Sequence, residues 1–107
     1  MNQETALGAV SRLYQEFMAL PFPPGLAGAD RAGFDLVMLD SDTAGCVFTW
    51  IENGGELDVR SRSILLRRIA RLDQVIPVLG EGDAPEYWHR LREMAQLVAD
   101  SPHSASR

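Results

Sequence analysis

Two short apolar runs, Phe34-Asp35-Leu36-Val37-Met38-Leu39 and Cys46-Val47-Phe48-Thr49-Trp50-Ile51, constrain this chain more than any other feature. Both are rich in β-branched and aromatic residues. Asp40-Ser41-Asp42-Thr43-Ala44-Gly45 between them has turn chemistry, so the runs read as two antiparallel strands. Side chains alternate across a strand, which sets Phe34, Leu36 and Met38 against Val37 and Leu39, and Cys46, Phe48 and Trp50 against Val47 and Ile51. Both faces are then apolar. Burying such a side chain is worth about 1.5–3 kcal/mol, so the face of Val37, Leu39, Val47 and Ile51 demands cover, by helices or by a second copy of the chain. So small a sheet must also protect its rims, which favours the copy, and a homodimer is expected.

Around these runs the period is helical. Leu7, Val10, Leu13, Tyr14, Phe17 and Leu20 recur at spacings of three and four, predicting a first helix that stops at Pro21. Pro21-Phe22-Pro23-Pro24-Gly25 opens an extended arm packed by Phe22, and the whole stretch from 21 to 33 reads as a connection. Glu52-Asn53-Gly54-Gly55-Glu56 is a second turn signal. Leu57-Asp58-Val59-Arg60 then alternates like a short third strand, or leads into a helix capped by Asp58. Leu65, Ile69, Leu72, Ile76 and Leu79 lay a narrow seam along a second helix, which Pro77 either kinks or ends near Ile76. After Gly80-Glu81-Gly82, Asp83 as N-cap with Glu86 three residues on and Pro85 in the first turn predict a third helix. Tyr87, Leu91, Met94 and Val98, flanked by Trp88 and Ala95, form its apolar side. The expected fold is therefore α+β: an N-terminal helix, an antiparallel two- or three-stranded meander, then two C-terminal amphipathic helices. At 107 residues the chain is expected to form one domain over 1–100, followed by a flexible, polar tail over 101–107.

Composition narrows the function classes. A net charge of −5 opposes phosphate-driven nucleic-acid binding. No apolar run approaches the roughly 18 residues of a membrane span, and Met1-Asn2-Gln3-Glu4-Thr5 lacks the basic and apolar regions of a signal peptide, so the expected location is cytoplasmic, without membrane contact. The one cysteine, Cys46, allows no internal disulfide and no cysteine-based metal site.

Candidate chemistry does not survive its spacing. Leu36-Val37-Met38-Leu39-Asp40-Ser41-Asp42-Thr43 resembles the nucleophile loop of haloacid-dehalogenase-like phosphatases, except that the family keeps one residue between the second aspartate and the threonine. An EF-hand start at Asp40, Asp42 and Gly45 fails at Ala44 and at Ile51, where a bidentate Glu belongs. Glu86, His89 and Glu93 share a helix side, but Arg90 and Arg92 make it a solvated face. Cys46, inside an apolar run, reads as a buried hydrophobe. No nucleophile elbow, P-loop or dinucleotide fingerprint occurs. No catalytic residue, cofactor or metal ligand is assigned.

Charge placement stands above background. All ten basic residues are arginine, and Arg60, Arg62, Arg67, Arg68 and Arg71 fall within twelve positions. Arg60, Arg67 and Arg71 share a stripe opposite the Leu65/Ile69/Leu72 seam if the helix begins by Arg60. Trp50, Trp88 and Tyr87 read first as core. An exposed Trp50 beside the stripe would join the three arginines in a candidate partner or anion surface, because arginine's planar fork and an exposed tryptophan both suit interfaces. The sequence thus predicts a non-catalytic protein-interaction module, accessory or regulatory in scale, homodimeric and open to an acidic protein partner. The alternative is a small anionic-ligand binder or minor enzyme, whose pocket between sheet and helices holds the anion with Trp50, Tyr87 and an arginine.

Overall fold

The computed structural model describes the backbone of residues 3–101 and the side chains from Ala6 to Ser101. It contains four helices, α1 (Gln3–Met18), α2 (Leu36–Glu52), α3 (Val59–Val75) and α4 (Pro85–Asp100), and one antiparallel ribbon of β1 (Asp30–Arg31) and β2 (Phe34–Asp35). The first helix and the two C-terminal helices stand where the apolar periods place them.

The meander does not form. The segment read as two strands and a turn is one helix, α2, and the third strand expected over 57–60 is a buried Leu57 followed by the cap and first turn of α3. The residues of α2 explain why. Leu36, Leu39, Thr43, Val47 and Trp50 are buried and recur at three and four, so the apolar set that alternates like a strand also winds onto one helical stripe. Asp35 starts the helix by accepting a 2.9 Å hydrogen bond from the Met38 amide. The polar residues mistaken for a turn are absorbed within it. Thr43 donates 2.7 Å to the Leu39 carbonyl, Asp42 pairs with Arg68 at 3.1 Å, and Asp40 accepts 2.8 Å from the Tyr87 hydroxyl. The helix ends where Gly54 and Gly55 adopt positive φ and donate back to the Ile51 and Trp50 carbonyls.

The ribbon lies inside the stretch read as a connection. Arg31 pairs with Phe34 across a loop of Ala32 and Gly33, both at positive φ as a type I′ hairpin requires. Asp58 does cap α3, accepting 2.7 Å from the Ser61 amide, and Pro77 ends that helix by diverting Ile76–Val78 into a 3-10 turn. Asp83 is not the N-cap of α4. That position belongs to Ala84, at φ 54°, while the Asp83 carboxylate accepts from the Gly80 amide and from Arg31.

The core lies where α2 packs on α3 and α4 and where α4 packs on α1, around Trp50, Leu65, Leu72, Trp88 and Leu91. Phe22 sets the proline arm edge-on against Tyr87 and Trp88 at 5.9 and 6.0 Å. The cover demanded for the second apolar face is largely internal, since Leu39 and Val47 are buried within one chain. Ser101, assigned to the tail, is buried and bonds the Val98 carbonyl, while the tail from residue 102 lies outside the described residues.

Candidate functional site

Because α3 begins at Val59, Arg60, Arg67 and Arg71 do share a helical stripe. Arg60 and Arg67 are exposed. Arg60 lies near enough to the Asp58 cap that, after the Ser61 hydrogen bonds, its charge and its backbone amide help lower that carboxyl, while Arg67 makes no ion pair with a described side chain. Arg71 is half-buried, its guanidinium 5.1 Å above the Phe34 ring. The neighbouring arginines serve the fold: Arg62 bonds the Ala99 carbonyl, and Arg68 pairs with Asp42. Trp50 leaves the candidate surface altogether. At 1% exposure it sits in the core, on the buried stripe of α2, as its place in an apolar run suggested, and so is not available to the α3 surface. Two residues missed by the sequence reading join the arginines instead. Val59 and Leu66 are 74% and 49% exposed, one helical column from Arg60 and Arg67. Their signal was available as an apolar pair seven apart, off the Leu65 seam.

A second feature lies between α1 and α2. A groove of about 440 Å³ is walled by Tyr14, Phe17, Met18 and Phe48, with Asp40 and Tyr87 also lining it. The Tyr14 and Phe48 rings stand 5.9 Å apart and those of Phe17 and Tyr87 4.6 Å apart. Tyr87 lines the groove and faces an aspartate, and no arginine is among its lining residues; Tyr87 also lines a shallower cavity with Arg90, and buried Trp50 lines neither. Burial raises the Asp40 carboxyl above its ordinary range, only partly offset by the Tyr87 hydrogen bond, and burial followed by Asp40 raises the Tyr87 phenol.

Glu86, His89 and Glu93 line a separate cleft of about 400 Å³ between α1 and α4, together with Glu16. Among the described residues no three histidine, cysteine or carboxylate side chains are grouped to hold a metal ion. Cys46 is half-buried on α2, its thiol raised by burial first, with Arg68 lowering and Asp42 raising it further. Among the described residues no helix is long and apolar enough to cross a membrane. No protein-family model, curated protein or solved structure matches the chain.

Proposed function

We propose that the chain is a non-catalytic protein-interaction module whose α3 outer face receives an acidic amphipathic segment of a partner protein. One observation carries the reading: Arg60 and Arg67 are exposed and form no side-chain salt bridge among the described residues, beside exposed Val59 and Leu66. That face belongs to a helix with five arginines against one aspartate, in a chain of net charge −5. An apolar pair flanked by weakly hydrated cations suits a helix whose apolar seam is edged by carboxylates.

The test uses a labelled synthetic helical peptide with a leucine seam edged by glutamates, followed by fluorescence anisotropy. Binding is expected to weaken with salt and to be lost in the Arg60→Glu, Arg67→Glu double variant with its melting temperature unchanged. Equal binding of a lysine-edged peptide, or a preference for a DNA duplex over the acidic peptide, overturns the reading.

Homodimerisation belongs to the same proposal, and its support is on α2. Val37 and Met38 are 38% and 57% exposed at the start of a helix that is already apolar on its buried side. Light scattering across a size-exclusion peak is expected to give a mass near twice 11.8 kDa, and the Val37→Glu, Met38→Glu variant a mass near 11.8 kDa with unchanged melting. A wild-type mass of one chain overturns the dimer.

A further inference from the structure

We infer that the groove between α1 and α2 binds a small organic ammonium ion with an aromatic or branched aliphatic body, its positive charge set against Asp40. The inference is independent of the α3 face and of the dimer. It starts from the three aspartates that another element of the fold meets with an arginine. Asp83 is met by Arg31 at 2.9 Å, Asp42 by Arg68 at 3.1 Å and Asp73 by Arg92 at 2.5 Å. Asp40 is half-buried, like Asp42 and Asp83, yet its hydrogen-bond partner is a neutral phenol, the Tyr87 hydroxyl at 2.8 Å. That bond engages Oδ1, and Oδ2 has no hydrogen bond from a described residue. A partly desolvated carboxylate without a counter-charge is costly to keep, and an incoming cation relieves the cost.

The walls suit the rest of such a ligand. Tyr14, Phe17, Phe48 and Tyr87 present aromatic surface, to which ammonium groups are drawn by the negative ring faces and apolar bodies by burial. No arginine lines the groove to repel a cation. At about 440 Å³ it has room for a ligand of this size, and on the α2 wall Ser41, Ala44 and Gly45 keep it open. A Cβ added at Gly45 would meet nothing within 4 Å, so the absence of a side chain there leaves space that the fold itself does not fill.

The experiment is isothermal titration calorimetry on the full chain with benzyltrimethylammonium and 2-phenylethylammonium, compared with 2-phenylethanol and 3-phenylpropionate. Either cation is expected to bind at least about tenfold more tightly than the alcohol, and the carboxylate more weakly than the alcohol. Asp40→Asn keeps an acceptor for Tyr87 and is expected to lower cation affinity about tenfold while leaving the alcohol unchanged. Gly45→Leu, in a helix that tolerates leucine better than glycine, is expected to abolish binding of every probe with melting preserved. The Arg60→Glu, Arg67→Glu and Val37→Glu, Met38→Glu variants are expected to bind the cations normally, which separates this site from the interaction surfaces. Failure of both cations to bind, equal binding of cation and alcohol, or undiminished affinity in Asp40→Asn overturns the inference.

Discussion

The Tyr87 hydroxyl donates a 2.8 Å hydrogen bond to the Asp40 carboxylate, tying α4 to the helix that the apolar pattern disguised as strands. Folding raises the Asp40 carboxyl above its ordinary value of 3.8, through burial first. The folded state therefore holds that proton longer than the unfolded chain, and stability falls as pH rises from 3.8 through the folded value. Asp40→Asn removes the charge and keeps an oxygen for Tyr87. Thermal melts across pH are expected to show the variant at least as stable as wild type at neutral pH, with the gain vanishing below 3.8. A variant that melts well below wild type at neutral pH contradicts the assignment.

The Arg31–Asp83 pair has the opposite sign. Arg31 donates through two nitrogens, at 3.1 and 2.9 Å, and with the Gly80 amide holds the Asp83 carboxyl below its ordinary 3.8. Its stabilisation is present above 3.8 and is lost as pH falls through the lowered folded value. Arg31→Gln is expected to melt below wild type at neutral pH, the gap narrowing in high salt and closing in acid. A gap that persists in acid means that the side chain acts through contacts other than the Asp83 charge, such as its 2.7 Å bond to the Asp30 carbonyl.

Trp50 reports on whether α2 is a helix. Buried beside Val47 and Leu39, it is expected to cost about 3–5 kcal/mol when replaced by alanine, a large share of the 5–15 kcal/mol that holds a typical domain together. Urea denaturation measures this directly. A near-wild-type midpoint would place the indole at the surface and contradict the packing of α2.

Ala32 occupies the first loop position of the type I′ hairpin at φ 52°, a conformation that asparagine tolerates better than alanine. Ala32→Asn is expected to stabilise the chain by about 0.5–1 kcal/mol in the same denaturation assay. A loss of stability would show that the turn is not of the primed type.

The sequence by itself determined α1, α3 and α4, because each has one wet face and one dry face and a period of 3.6 is then unambiguous. It left open whether Asp58 caps a helix or lies in a third strand, and whether Pro77 kinks or ends α3. It put Arg60, Arg67 and Arg71 on one stripe only if that helix began by Arg60. The fold settled all three, with α3 capped by Asp58 and ending before Pro77. Tertiary structure decided α2. With apolar residues on both sides, Leu36 to Ile51 satisfies a two-residue and a 3.6-residue period alike, and the choice falls to contacts made far along the chain. Asp40 and Asp42, turn-like in isolation, find Tyr87 on α4 and Arg68 on α3. Packing also left Val59 and Leu66 exposed beside the arginines. It left Asp40 in an aromatic groove without a cation, because burial and charge pairing are properties of the packed chain and not of any one segment.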